Sequence, residues 1–316
     1  MTYYDIFNGD ADGLCALHQL RLVEPRDAVL VTGVKRDVRL VEKVDAQRGD
    51  ELTVLDVSME ENAAALIPLL ARGVRCLYFD HHSSGNIPVH ENLRAFIDTS
   101  SGSCTSLLVD RHLDGRMRPW AAVAAFGDNL DETAHTLGAS LQLVPKQLER
   151  LAELGRCLNY NGYGERIEDL YFPPAELYRM VSRHRDPFDF IEHEAAFGVL
   201  RDGRANDIAR AAGLTPVAET EAGAVYVLPD EAWSRRVVGT LANDLARSRR
   251  GRAHAVLVAK PGGYSVSVRA PRERPTGADA LCRRFAGGGG RAAAAGINLL
   301  RQVDLDRFIR EFMDGF

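Results

Sequence analysis

The chain has 316 residues, which is too long for one typical compact core and favours two domains. Its formal net charge of −5 argues against a protein that coats long nucleic acid, and no apolar run approaches the ~20 residues of a membrane helix, so we expect no membrane partner. The five cysteines are odd in number, scattered and without C-x-x-C spacing, which argues against a disulfide framework or a zinc knuckle and favours a reducing compartment.

The N-terminal part alternates short apolar runs with segments that carry apolar residues at helical spacing, the pattern of a parallel sheet with crossover helices. It begins without the charged segment and apolar core of a signal peptide, so we expect a cytoplasmic protein. The predicted strands are residues 3–7, 28–34, 51–55 and 75–79, and the predicted helices are residues 13–22, 37–46 and 60–72. A helical region continues to about residue 193.

Acidic residues and histidines follow three of these predicted strands. They are Asp10 and Asp12 after the first strand, Asp56 after the third, and Asp80, His81 and His82 after the fourth. Because the carboxyl ends of neighbouring parallel strands meet at one crevice, we expect these side chains to converge. So many carboxylates are costly to pack together unless cations neutralise them, which predicts a metal centre. Carboxylates with one or two imidazoles suit manganese or magnesium, and also iron, cobalt or zinc.

Each motif also has a plainer interpretation. The loop from Asn8 to Gly13 resembles the start of an EF-hand calcium loop, but Gln19 stands where the bidentate Glu belongs. The Asp10 and Asp12 pair is also compatible with a simple turn, because Asp and Gly favour turns for local reasons. Asp56 is compatible with a helix N-cap, and adjacent histidines are common on surfaces. The order of the motifs together favours the metal centre.

A second domain is predicted after a polar stretch at residues 201–220, which we interpret as a linker with a short helix. Residues 224–228, 253–259 and 264–269 have the composition of strands. Residues 234–316 contain sixteen Lys or Arg and seven Asp or Glu, a net +9 against −14 for the rest of the chain. This asymmetry is compatible with two ordinary surfaces and with a basic domain that binds an anionic partner.

The N-terminal motifs resemble those of the DHH phosphoesterase superfamily. The matching residues are Asp10 and Asp12, then Asp56, then Asp80, His81 and His82, and finally Gly127 and Asp128. Far downstream, residues 287–296 (GGGGRAAAAG) resemble the GGGH-x-x-AAG motif of the DHH-associated C-terminal domain. Residues 265–269 resemble the strand that precedes that motif. The resemblance spans nearly the whole chain, in the correct order.

The resemblance implies an α/β protein with an N-terminal parallel-sheet DHH domain, flanked by helices, and a smaller C-terminal α/β domain. We place the catalytic metal-binding domain at residues 1–195, a linker at 196–220 and the substrate-binding domain at 221–316. The active site is expected in the cleft between the two domains.

The resemblance also implies roles for the motif residues. Two Mn²⁺ ions are expected, with Mg²⁺ or another divalent metal as the alternative, and their ligands would be Asp10, Asp12, Asp56, His81 and Asp128. Asp80 would orient His81, and His82 would contact the phosphate or assist the leaving group, so that Asp80 and His82 count as catalytic residues. Substrate would be bound by Arg269, Gly288, Gly289, Gly290 and Arg291. Lys35 and Arg36 face either the cleft or the solvent.

Two positions depart from the family pattern. Ile6 stands where several branches have a histidine, four residues before Asp10, so one metal position has fewer protein ligands. Arg291 replaces the histidine of the C-terminal motif, and arginine binds phosphate but ligates no metal. A helix beginning near Arg291 would direct its N-terminus at an anion, and four glycines would let backbone N–H groups approach it. The competing interpretation of residues 287–296 is a flexible linker.

We therefore expect a hydrolase that cleaves a phosphate ester of a short nucleotide substrate with a water activated between two metals. Short oligonucleotides, linear or cyclic dinucleotides and pAp fit best, because no row of aromatic residues offers stacking for long single strands. The alternatives are a non-catalytic nucleotide-binding or sensor protein, a polyphosphate or pyrophosphate hydrolase, and a transferase. The sequence leaves open whether the chain forms a homodimer and what residues 159–163 do.

Overall fold

A computed structural model describes residues 1–316, which divide into two compact units, Met1–Arg204 and Ala205–Phe316. The division falls within a helix at Ala195–Ala212, inside the stretch predicted as a linker. This helix has 18 residues and is therefore longer than the short helix that the sequence predicted. None of the helices combines the length and apolar character that crossing a lipid bilayer requires.

The first unit contains a five-stranded, fully parallel sheet with the order β2-β1-β3-β4-β5. The strands are β1 (Tyr3–Phe7), β2 (Val29–Val31), β3 (Glu51–Leu55), β4 (Arg75–Asp80) and β5 (Leu93–Ile97). The parallel sheet confirms the predicted fold class. The sequence missed β5 and overestimated β2, because an edge strand has only one neighbour to define its length.

Nine helices accompany this sheet. They are α1 (Ala11–Val23), α2 (Met59–Ala71), α3 (Thr105–His112), α4 (Arg118–Gly127), α5 (Asp131–Ser140), α6 (Pro145–Asn161), α7 (Pro174–Val181), α8 (Pro187–His193) and α9 (Ala195–Ala212). Alternate strand residues enter two separate cores, as the two-residue period of a strand requires. Phe7, Leu55 and Phe79 pack with α1, α3, α4 and α6, whereas Ile6 and Val54 pack with α2.

The predicted helix at residues 37–46 is wrong, because the structure has only a short 3-10 turn at Val41–Lys43. The buried side chain of Asn62 accepts a hydrogen bond from the backbone N–H of Val41 at 3.1 Å and donates one to the carbonyl of Val38 at 2.7 Å. These backbone groups are thus satisfied by a distant side chain, and a helix is not needed to pair them.

The second unit contains a six-stranded mixed sheet with the order β10-β11-β9-β8-β7-β6. Its elements are β6 (Ala218–Glu219), β7 (Gly223–Leu228), α10 (Ala232–Ser248), β8 (Ala253–Lys260), β9 (Gly263–Arg269), α11 (Ala278–Cys282), β10 (Gly288–Arg291), β11 (Ala294–Arg301) and α12 (Leu305–Gly315). Helix α10 packs with Val256 and Val258 on one face, and α11 and α12 pack with Ala255 and Leu257 on the other.

The helix expected near Arg291 is absent, and the glycine-rich motif forms the antiparallel hairpin of β10 and β11. Gly290 pairs with Ala295 at a φ of 140°, a conformation that favours glycine. A Cβ atom at Gly288 would lie 1.9 Å from the carbonyl oxygen of Cys282. Two of the glycines therefore serve the hairpin itself, and residues 287–296 are not a flexible linker.

The packing of α6 against α4 gives a test of this fold. A Cβ atom at Gly155 would lie 2.1 Å from the carbonyl oxygen of Val123 and 2.9 Å from the backbone nitrogen of Gly127. Gly155→Ala should therefore lower the free energy of unfolding by about 1–3 kcal/mol, measured by urea denaturation. Gly198→Ala in α9 is the matched control, because nothing lies within 4 Å of its Cβ position, and it should stabilise by about 0.5–1 kcal/mol. Equal effects of the two substitutions would contradict this packing.

Candidate metal centre

The motif residues of the first unit meet where β1, β3 and β4 end. We call Asp10, Asp12, Asp56, Asp80, His81, His82 and Asp128 the acid–histidine centre. Asp10 caps the N-terminus of α1, and its Oδ1 accepts hydrogen bonds from the backbone N–H groups of Asp12 at 3.0 Å and Gly13 at 3.2 Å. Its Oδ2 lies 2.5 Å from the ammonium nitrogen of Lys35. Burial raises the pKa of Asp10, but the charge of Lys35 and the hydrogen bonds to the carboxylate together outweigh burial, so the pKa is lowered overall.

Asp12 is held by the N-terminus of α3. Its Oδ2 accepts a hydrogen bond from the backbone N–H of Thr105 and its Oδ1 accepts one from that of Ser106, both at 2.7 Å. The Ser106 hydroxyl also donates to the Asp12 carbonyl at 2.9 Å. Sequence reasoning missed Thr105 and Ser106, because they lie more than 90 residues away from Asp12 and belong to no motif. The carboxylate is thus fixed before any ligand binds.

Asp56 follows β3 with a φ of 61°, a left-handed conformation that is uncommon for residues other than glycine. Its N–H donates to the carbonyl of Phe79 at 3.0 Å, and its Oδ1 accepts from the Thr105 hydroxyl at 3.1 Å. Burial, and then the charges of Asp12 and Asp10, raise the pKa of Asp56 well above its usual range. A strained backbone and a destabilised carboxylate at one residue are typical of a functional site.

His81 lies among three carboxylates. Its Nε2 is 3.4 Å from Asp56 Oδ1, 3.8 Å from Asp12 Oδ2 and 3.8 Å from Asp128 Oδ2. Asp128 directly follows α4, and burial and the charge of Asp12 raise its pKa to about 6. The structure therefore brings His81 together with three of the predicted ligands.

Asp80 contacts the other histidine of the triplet. Its Oδ1 lies 2.8 Å from His82 Nδ1, so the predicted role of Asp80 in orienting His81 is wrong. The reason is geometric, since residues two apart in an extended segment lie on the same side whereas neighbours alternate. This hydrogen bond raises the pKa of His82. The other oxygen of Asp80 is buried and has no hydrogen-bond partner.

The centre surrounds a cavity of about 130 Å³. It is lined by Asn8, Asp10, Lys35, Val38, Asp56, Val57, Ser58, His81, His82 and Asp128. Two groups of ligand atoms lie within 4.8 Å of one another, Asp12 with His81 and Asp128, and Asp56 with His81 and His82. The buried Oδ1 of Asn8 has no partner and is a further oxygen donor. Carboxylates and imidazoles at this spacing fit a divalent metal ion.

The predicted substrate residues of the second unit include two arginines on neighbouring parts of its sheet. Arg269 in β9 and Arg291 in β10 are both in register with Ala294. Arg269 donates to Asn243 at 2.9 Å and to Ser267 at 3.0 Å, and neither arginine is paired with a carboxylate. Burial and the charge of Arg291 lower the pKa of Arg269. Two like charges without a counter-ion form a place where an anion would be stabilised.

No family model and no curated protein matches the sequence. Among solved structures, the exonuclease RecJ bound to manganese aligns with 100% of this chain and 90% of its own, at a TM-score of 0.67 and 16% identity. The DHH domain of a member of a ribosomal protein family aligns with 99% of this chain and 86% of its own, at a TM-score of 0.59 and 13% identity. The pGpG-specific phosphodiesterase PggH from Vibrio cholerae aligns with 99% of this chain and 100% of its own, at a TM-score of 0.55 and 15% identity.

The fold and the site define an α/β protein with an acidic, histidine-containing centre at the carboxyl edge of a parallel sheet. The structural matches specify this class further, because they extend over both units. The chain has the DHH fold, with a parallel-sheet domain followed by a smaller C-terminal domain, as the motifs predicted.

The raised pKa of Asp128 predicts how metal and pH act on stability. Asp128 has a pKa of about 6 in the folded chain, against 3.8 for an ordinary carboxyl such as that of the unfolded chain, so the folded chain binds more protons between these values. Metal-free protein should therefore lose stability as the pH rises from 4 to 6. A bound ion reverses this effect, because protons compete with it for Asp128. The increase in melting temperature caused by Mn²⁺ should therefore be larger at pH 7 than at pH 5. An increase that is independent of pH, or unchanged in Asp128→Asn, would contradict the role of Asp128.

Proposed function

We propose that this chain is a divalent-metal-dependent phosphoesterase that hydrolyses a phosphate ester of a short nucleotide substrate. The observation that carries the proposal is the convergence of the carboxylates of Asp56 and Asp128 on His81 around one small cavity. The raised pKa values of both carboxyls agree with it, because such destabilised carboxylates are costly in a folded protein unless a cation binds them. Among proteins of the same fold, the RecJ structure is bound to manganese.

The proposed ligands of the ion are Asp12, Asp56, His81 and Asp128. When bound, a divalent ion would supply Lewis-acid stabilisation of the negative charge on a phosphate oxygen. The chain's own contribution is to hold these ligands in place, which the α3 N-terminus does for Asp12 and the Thr105 hydroxyl does for Asp56. Ligands that are already oriented need no reorganisation during the reaction. Mn²⁺ is the proposed ion.

His82 is proposed to exchange a proton with the leaving group. Asp80 accepts the hydrogen bond of His82 Nδ1, which leaves Nε2 as the nitrogen that gives up or receives a proton. The hydrogen bond raises the pKa of His82, and this favours the protonated ring that a general acid needs. The side chain of His82 is 46% exposed, so a substrate can reach it.

Arg269 and Arg291 are proposed to bind a phosphate group of the substrate. Arginine binds phosphate through two parallel hydrogen bonds, and the unpaired charges of these two residues favour an anion. The proposed substrate therefore has one phosphate group that is cleaved and another that the arginines bind. Short oligonucleotides, dinucleotides and pAp meet this requirement. The likeness to a pGpG-specific phosphodiesterase supports this size of substrate.

Asp56→Asn tests the metal-dependent reaction. We expect it to reduce Mn²⁺-dependent hydrolysis of dinucleotides or pAp by more than about 100-fold, because losing a ligand should exceed the effect of losing an outer contact. It should also stabilise the metal-free chain, since it removes a buried charge. Asp110→Asn is the matched control, because Asp110 is another buried carboxyl with a raised pKa but is paired with Arg118. The Asp110→Asn variant should keep the activity of the native chain. Full activity of Asp56→Asn would refute the proposed centre.

Arg291→Ala tests substrate binding. It should raise KM for a short substrate with two phosphate groups by roughly tenfold or more and change kcat little, because the contact is present before and during the reaction. Arg301→Ala is the control, since Arg301 is exposed and paired with Asp304. If KM is unchanged in Arg291→Ala, the arginine pair does not bind substrate. Nucleotide binding without turnover in the native chain would instead favour a sensor.

A further inference from the structure

Lys35 places a positive charge inside the acid–histidine centre. Its Nζ lies 2.5 Å from Asp10 Oδ2, 3.1 Å from Asn159 Oδ1 and 3.8 Å from Asp128 Oδ1. It also lies 5.8 Å from the centre of the Tyr163 ring, within reach of a cation–π contact. The ammonium group thus has carboxylate, amide and aromatic neighbours, which is the environment of a bound cation.

The backbone of Lys35 is held on both sides. Its N–H donates to the carbonyl of Gly162 at 2.9 Å, and its carbonyl accepts from Asn8 Nδ2 at 3.2 Å. A Cβ atom at Gly162 would lie 3.0 Å from the Cβ of Asp10, so this glycine allows the loop to approach Asp10 closely. The position of the ammonium is therefore built into the fold and is not the chance conformation of a surface lysine.

Residues 159–163, whose role the sequence left open, complete this environment. Asn159 accepts from Lys35 through Oδ1 and donates to the Tyr163 hydroxyl through Nδ2 at 2.9 Å. Asn161 forms two hydrogen bonds with the backbone of Phe172, at 2.9 and 3.1 Å, which fix the segment. The segment therefore orients Lys35.

Asp10 is already paired with a cation, the Lys35 ammonium. Its Oδ1 accepts two backbone hydrogen bonds and its Oδ2 accepts from Lys35. Asp10 also belongs to neither group of closely spaced ligand atoms, which contain Asp12, Asp56, His81, His82 and Asp128. Ile6, at the position where several DHH branches have a histidine, is fully buried in the apolar core and offers no donor atom.

We propose that the Lys35 ammonium takes the place of one of the two metal ions, so that the centre binds a single divalent ion. Lys35 neutralises Asp10, and the ion is bound by Asp12, Asp56, His81 and Asp128. A second divalent ion beside Asp10 would meet the positive charge of Lys35, and the Asp10 carboxylate is already paired with that ammonium group. This inference rests on the proposed metal site but is independent of the reaction.

The test is the number of Mn²⁺ ions bound by the full chain. Metal-stripped native protein, dialysed against Mn²⁺ and measured by elemental analysis, should retain one tightly bound ion per chain, with the electron paramagnetic resonance signal of an isolated Mn²⁺. Lys35→Met should bind two ions with a magnetically coupled signal, because removal of the ammonium frees Asp10. Lys35→Gln, which keeps a hydrogen bond to Asn159, gives the same test if Lys35→Met folds poorly.

Arg36→Met is the matched control. Arg36 is the adjacent cation, is 63% exposed and lies 3.6 Å from Glu165, so its loss should leave one ion per chain. Two tightly bound ions in the native chain would overturn the proposal, and so would a single ion in both Lys35 variants. If none of the proteins binds Mn²⁺, the proposed metal site itself is refuted, and the inference with it.

Discussion

Electrostatic repulsion among buried carboxylates is the constraint on which the rest of this molecule depends. Asp10, Asp12 and Asp56 are each at most 3% exposed, and Asp128 adds a fourth carboxylate beside them. The fold offsets this repulsion in two ways. Lys35 neutralises Asp10, and backbone N–H groups of α3 stabilise Asp12. Asp56 and Asp128 retain raised pKa values, and this remaining instability is what a metal ion would relieve.

The parallel sheet explains why these residues meet. Strands β1, β3 and β4 are neighbours, so the residues that follow them emerge at one edge. The helices contribute through their ends, since α1 begins at Asp10, α3 begins beside Asp12, and Asp128 follows α4. The centre is therefore built from the termini of elements whose interiors are apolar. A rigid core thus sets the geometry of a polar site.

Local sequence predicted the parts of this arrangement that depend on local chemistry. The strands β1 and β3, the acids after them and the motif order were sufficient to indicate the fold class and the convergence of the acids and histidines at one edge of the sheet. The errors lie where distant contacts decide. Asn62 replaces the helix expected at residues 37–46, the pairing of β10 with β11 replaces the helix near Arg291, and His82 replaces His81 as the partner of Asp80. Thr105 and Asn159 carry no motif, so their contacts with Asp56 and Lys35 required the structure.

The most direct test of the central claim is a crystal structure of the native chain grown with Mn²⁺, with anomalous scattering measured at the manganese absorption edge. We predict one strong anomalous peak within bonding distance of Asp12, Asp56, His81 and Asp128, with Lys35 still beside Asp10. Absence of a peak in this cavity, in crystals that contain Mn²⁺, would contradict the claim that the buried carboxylates form a metal centre.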